Sequence, residues 1–153
     1  MTMIKQNKTA LQKATDLLAA QEQSSMTLRR KLLIRKYDAA EVDEAIAKLK
    51  ERNYLDDEAT CRYQFENLYA EGKLSVRQIM LKLIQRGFDR NFIEQLIPDD
   101  VDEHERLAAQ HLLEKKFKRT DDKTFKAKAW QFLSARGFSG EIISSTVENF
   151  LHR

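Results

Sequence analysis

The chain has 153 residues, of which 33% are charged and 42% hydrophobic, with a formal net charge of +3. Such a length buries roughly two thirds of its unfolded surface, enough for one core or three small connected ones. Four glycines and one proline leave little room for β-turns, so an all-α class is expected. The single cysteine, Cys61, excludes an internal disulfide and points to a reducing compartment. No apolar run of about 18 residues and no signal-peptide core is present, so a soluble, cytoplasmic protein without a membrane partner is expected.

Apolar periodicity predicts nine helices in three groups. The first helix is expected from about Thr9 to Gln23, with Leu11, Ala14, Leu17 and Leu18 as its apolar stripe. Ser24 caps a second, reaching Arg35, and a third runs from about Ala39 to Arg52 with Val42, Ala45, Ile46 and Leu49 inward. Asp56 or Asp57 caps the fourth, with Leu55 as a hydrophobic staple, and that helix ends near Gly72. Ser75-Val76-Arg77-Gln78 reads as a capping box for the fifth, which stops at Gly87 in a left-handed cap. A short sixth helix spans residues 89–97 and is closed by Pro98. The last group begins at Asp99 or Asp100, and its helices end near Phe117, Arg136 and Leu151.

The three groups share one frame. Ser24, Leu28, Leu32-Leu33, Arg35-Lys36-Tyr37-Asp38, Val42 and Ile46 correspond to Ser75, Ile79, Leu83-Ile84, Arg86-Gly87-Phe88-Asp89, Ile93 and Ile97. The third copy reads Ala129, Leu133, Arg136-Gly137-Phe138-Ser139, Ile143 and Val147. Tandem three-helix repeats follow, at residues 9–54, 55–98 and 99–153 after a tail of residues 1–8, forming an elongated, curved array. Stacked repeats offer an extended surface suited to binding along a polymer.

Charge is unevenly distributed. Arg29, Arg30, Lys31, Arg35 and Lys36 form one basic cluster, and Lys115, Lys116, Lys118, Arg119, Lys126 and Lys128 a second. Between them lie Asp99, Asp100, Asp102, Glu103 and Glu105. Patches of both signs suit a partner of mixed charge, or one contact with protein and another with phosphate. On the second helix, Leu28, Leu32 and Leu33 span an arc of about 140°, which Arg30 and Lys31 fall outside. Arg29 falls inside that arc, and its counterparts are the apolar Met80 and Trp130, so its stem is expected along the core edge with the guanidinium reaching out.

Other features read as structural. Trp130 occupies the position of core-lining Met80 and is expected to be buried. His104 and His111 share a helical face but lack converging ligands, so no metal site is assigned. Cys61 reads as a small buried residue. No phosphate loop, nucleophile elbow or Cys-x-x-Cys pair is present, so neither a cofactor nor catalysis is expected.

These residues carry a resemblance. Ser24 through Leu32, centred on Leu28-Arg29-Arg30-Lys31-Leu32, resembles the Ser-x-x-Glu-Leu-Arg-Arg-Lys-Leu signature of the RecX regulators of RecA recombinase. Asn53-Tyr54-Leu55-Asp56-Asp57 resembles that family's Gly-Tyr-Leu-Asp-Asp element. Lys115-Lys116-Phe117 and Ala135-Arg136-Gly137-Phe138 resemble its Lys-Lys-Phe and Arg-Gly-Phe elements. The resemblance covers the chain from about residue 9. Thr27, Lys36 and Asn53 depart from the pattern, and the loop 71–75 lacks a second glycine and a proline.

The resemblance implies a non-enzymatic, monomeric modulator that lies in the groove of the RecA–DNA filament and damps ATP hydrolysis, filament growth and strand exchange in recombination and DNA repair. It implies that the two basic clusters contact RecA and single- or double-stranded DNA, without deciding which meets which. An alternative is a stand-alone helical nucleic-acid-binding protein, with helices 25–35 and 39–52 as a helix-turn-helix.

Overall fold

The computed structural model describes residues 7–118 and 123–152. Among them are nine α-helices and no strand. They are α1 (Ala10–Ala20), α2 (Ser25–Ile34), α3 (Ala39–Glu51), α4 (Asp57–Glu71), α5 (Val76–Gln85), α6 (Arg90–Leu96), α7 (Asp102–Lys116), α8 (Phe125–Ala135) and α9 (Gly140–Leu151). The tandem three-helix organisation is thus present as expected.

Helix boundaries follow from caps. Thr9 opens α1 with a capping box, its side chain bonded to the Gln12 N–H and the Gln12 side chain to the Thr9 N–H. Helix α1 stops three residues before the expected Gln23. The Gln23 carboxamide folds back to donate to the Leu17 and Gln21 carbonyls, both at 3.1 Å, satisfying groups that a continued helix would have used. Ser75 and Gln78 form the anticipated reciprocal box at 2.9 and 3.0 Å. Asp56 caps α4 through the Ala59 N–H at 3.1 Å, with Leu55 buried beside it. Helix α7 begins at Asp102, later than expected, where Asp100 accepts the Asp102 N–H at 3.0 Å.

Lys36 and Asn53 both adopt left-handed backbone, with φ of 70° and 60°. Each ends its helix in a Schellman motif. Tyr37 N–H bonds Leu32 C=O at 3.3 Å and Lys36 N–H bonds Leu33 C=O at 3.0 Å; Tyr54 and Asn53 repeat the pattern onto Leu49 and Lys50. Lys36 therefore accepts the strain that glycine avoids in the other copies.

The described residues form two compact units. One contains those up to Cys61 together with Gln85–Phe88; the other contains Arg62–Ile84 and those from Asp89 onward. The first unit is built on Ala10, Ala14, Leu28, Leu32, Val42, Ala45, Ile46, Leu49 and Leu55. Two fully buried alanines on α1 bring its backbone close to α2 and α3, and the flanking Leu17 and Leu18 close the edge. The second unit packs Ala108, Ala109, Leu113, Phe125, Ala129, Leu133, Phe138, Ile142, Ile143 and Val147. Its edge is aromatic: Phe117 meets Phe125 and Phe132 edge-on at 5.3 and 5.8 Å, and Phe150 stacks on Phe125 at 5.3 Å.

Trp130 departs from expectation, because 41% of it is exposed. It lies about 100° around α8 from buried Ala129, at the margin of the inward face. Its ring edge rests near Gly140 instead of entering the core.

Candidate functional site

The basic face of α2 is set by the way its N-terminus is held. Ser24 accepts the Thr27 N–H at 3.1 Å, and its own hydroxyl donates to the Arg86 carbonyl. The Thr27 hydroxyl reaches the same carbonyl at 3.1 Å, so this departure from the glutamate of the family pattern still bonds at the helix start. Asp57 then takes the Ser25 N–H at 2.8 Å and the Ser25 hydroxyl at 2.5 Å. A carboxylate on the first turn of a helix is favoured by both the free N–H groups and the helix dipole. Gly87, at φ 95°, seats against this end, where a Cβ would lie 2.6 Å from the Met26 Cβ.

The second unit repeats the device on α5. Ser75 donates to the Arg136 carbonyl, and Glu105 takes the Val76 N–H at 3.3–3.4 Å. A Cβ on Gly137, at φ 90°, would lie 2.4 Å from the Arg77 Cδ and 2.6 Å from its Cβ. The Arg-Gly-Phe element thus has a physical content. The arginine supplies a carbonyl, the glycine supplies room and left-handed backbone, and the phenylalanine, Phe88 or Phe138, is buried. Lys36, at the matching position of the first copy, is exposed, and a side chain is accommodated there.

The first basic cluster lies on α2 and its C-terminal turn. Arg29 is exposed and its Nε donates to Asp43 Oδ1 at 2.8 Å, which holds the guanidinium charged and its stem along the helix. Arg30 is exposed, Lys31 is half-buried, and Arg35 and Lys36 are exposed. Arg35 Nη1 folds back onto the Lys31 carbonyl at 3.0 Å. A shallow groove on the outer side of α2 is lined by Met26, Arg29, Arg30, Leu33 and Ile34. Its apolar members were not anticipated as a surface feature. The available signal was the spacing of Leu33 and Ile34, seven and eight residues after Met26, which brings the three to one flank of the helix away from Leu28.

The second cluster is more dispersed. Lys115 and Lys116 end α7, where a cation suits the helix dipole, and Lys118 follows; all three are exposed. Arg119 lies outside the described residues. Lys126 and Lys128 are exposed on α8 but about 200° apart around its axis, so they flank opposite sides. Lys126 approaches Glu148 at 3.7 Å.

His104 and Glu105 occupy the most strongly perturbed spot. His104 is buried and stacks on Tyr69 with ring centroids 3.9 Å apart. Neither of its ring nitrogens has a hydrogen-bond partner, and Nδ1 lies 3.4 Å from Glu105 Oε2. Burial lowers the His104 pKa and keeps the ring neutral. Burial also pushes Glu105 up to about 7, only partly opposed by its bond from the Val76 N–H. Among the described residues no group of three or more His, Cys, Asp or Glu is placed to hold a metal ion. No helix among them is long and apolar enough to cross a membrane.

Comparison with known proteins matches this architecture. Residues 10–58 match the family model of the RecX first three-helix domain, and residues 105–147 that of the third. A regulatory protein RecX of Neisseria meningitidis serogroup A is 31% identical over 151 residues, covering 95% of this chain and 94% of that protein. One from Vibrio parahaemolyticus is 34% identical over 136 residues, covering 86% and 84%. The chain spans only 60% of a longer relative from Clostridium botulinum, at 30% identity. The crystal structure of RecX from Lactobacillus salivarius superposes with a TM-score of 0.72 at 20% identity, covering 94% of each chain, and so shares the fold. The repeat, the caps and the full-length similarity together place this chain in the RecX family of regulatory proteins.

Proposed function

We propose that this protein is a cytoplasmic, monomeric and non-catalytic regulator of the RecA–DNA filament that restrains filament growth, ATP hydrolysis and strand exchange. The observation that carries the reading is the basic outer face of α2, anchored at its N-terminus by Ser24 and Asp57 and coinciding with the segment most like the family signature. In this reading the repeats at 9–54, 55–98 and 99–153 touch successive parts of the filament. Weak contacts on one chain then add through effective concentration. The basic clusters add a salt-sensitive term wherever they meet phosphate.

The helix-turn-helix alternative finds less support. A recognition helix needs free basic and polar side chains toward the groove. On α3, Glu41 instead accepts the Ala10 N–H at 2.9 Å, Asp43 pairs with Arg29 and Glu44 with Lys48 at 3.4 Å. Three of its four acids are thus engaged in holding the first unit together or pairing with its basic residues.

The test is RecA ATP hydrolysis on single-stranded DNA titrated with this protein. Suppression at substoichiometric amounts is the expected result. No change at stoichiometric excess contradicts the proposal.

A further inference from the structure

Helix α2 is apolar on two sides. Leu28 and Leu32 are fully buried in the first unit. On the opposite side, Met26, Arg29, Arg30, Leu33 and Ile34 stand at i, i+3, i+4, i+7 and i+8, the spacing of a continuous helical stripe. Met26 is 41% and Ile34 68% exposed, while Leu33 is half-buried and touches both the core and the groove. The core does not require the exposed isoleucine or methionine. The corresponding positions vary: α5 has Met80, Leu81 and Ile84, with Leu81 54% exposed, whereas α8 has Gln131 and Ser134 beside the exposed Trp130, so the fold itself does not fix these residues.

We infer that this groove is a protein-docking surface that receives an apolar side chain flanked by carboxylates. On the function proposed above, on which this inference rests, it is the face that meets RecA protein instead of DNA. The rim chemistry favours that occupant. Arg29 pairs with Asp43 at 2.8 Å, so part of its charge is met within the chain. Arg30 makes no ion pair among the described residues and stands beside the aliphatic floor, with Lys31 and Arg35 nearby on the same helix. Arginine and methionine around a desolvated aliphatic centre match the composition of protein interfaces. A phosphate backbone rewards the cations but gains nothing from burying Ile34. The lysines of the second cluster are dispersed over the end of α7 and opposite sides of α8, and a lysine is a point charge of the kind that phosphate accepts.

The test uses the full-length chain and two readouts at one salt concentration. Co-sedimentation with RecA filaments on single-stranded DNA measures filament binding, and fluorescence anisotropy on the naked oligonucleotide measures DNA binding. Ile34→Asp and Arg30→Glu are each expected to weaken filament binding by about tenfold or more, the loss of one interface anchor. Ile34→Asp is expected to weaken DNA binding far less than filament binding, because it removes no phosphate contact and adds only one charge. Ile34→Leu is expected to bind filaments like the wild type, and thermal melts of all variants to overlay because the side chain is exposed. Wild-type filament binding by Ile34→Asp overturns the inference while leaving the regulatory function standing. An equal loss on naked DNA also overturns it and assigns the groove to nucleic acid. A wild-type protein that fails to sediment with filaments overturns both.

Discussion

The two units hold a helix N-terminus by the same device and differ in the acid that completes it. In the first, Asp57 is half-buried and accepts both the N–H and the hydroxyl of Ser25, at 2.8 and 2.5 Å. In the second, Glu105 is buried, reaches the Val76 N–H only at 3.3–3.4 Å and lies against neutral His104. Two charge-assisted bonds in partial contact with water compensate a carboxylate for its desolvation; one long bond in an apolar niche does not. One architecture thus yields a closely bonded acid in the first unit and, in the second, a buried acid that takes up a proton more readily than usual.

Filling the space under both helix ends is expected to have the largest effect. Gly87→Ala and Gly137→Ala each require an unfavourable φ, costing about 1–2 kcal/mol, and crowd a neighbour, costing about 1–3 kcal/mol more. Gly72→Ala is the control, since Gly72 has φ 65° but nothing within 4 Å of an added Cβ. Urea unfolding is expected to show both junction variants less stable than the control. Equal losses in all three contradict the close packing of the junctions.

A smaller effect is expected from the caps. Asp57→Ala is expected to cost about 1–2 kcal/mol in the same assay, the usual loss of a helix-capping side chain. An unchanged midpoint contradicts its role at α2.

The acid in the second unit is separated by pH. Glu105 has its folded pKa raised from 4.5 to about 7, so its contribution is fully present below 4.5 and lost as pH rises through about 7. His104 has its folded pKa lowered from 6.5, so its contribution is lost as pH falls below 6.5. Between these limits folding takes a proton up at Glu105 and gives one up at His104, and the two slopes oppose. The wild type is therefore expected to have a flatter stability profile from about pH 5 to 6.5 than either group alone would give. Glu105→Gln removes only one slope, so its stability is expected to rise with pH across that window. Parallel profiles for wild type and variant contradict the assignment.

The smallest effect concerns the first helix end. Lys36→Gly relieves left-handed strain at an exposed site and is expected to stabilise by about 0.5–1 kcal/mol, less than the full strain because glycine adds chain entropy. A loss of stability contradicts the reading that Lys36 carries that strain.

Local chemistry explains what the sequence disclosed. The Ser75–Gln78 box, the cap at Asp56 and the left-handed position at Gly87 each depend on neighbours within a few residues. The bonds from Ser25 to Asp57 and from Val76 to Glu105 span 32 and 29 residues, and no short-range pattern marks them. Trp130 was misread because its counterpart Met80 is itself only half-buried, and a position at the margin of a helical arc turns either way. In the candidate site, the charges on α2 were visible as residue types. The aliphatic floor between them emerged only when Leu28 and Leu32 had fixed which side of the helix faces inward.

The proposed function has α2 facing the RecA filament. The most direct measurement compares ATP hydrolysis by RecA on single-stranded DNA under titration with the wild type, with Arg30→Glu/Lys31→Glu and with a variant reversed at Lys126 and Lys128. The account predicts suppression by the wild type, and a titration curve shifted to higher concentration by about tenfold or more for the α2 variant at unchanged helical content. Identical suppression by the wild type and the α2 variant contradicts it.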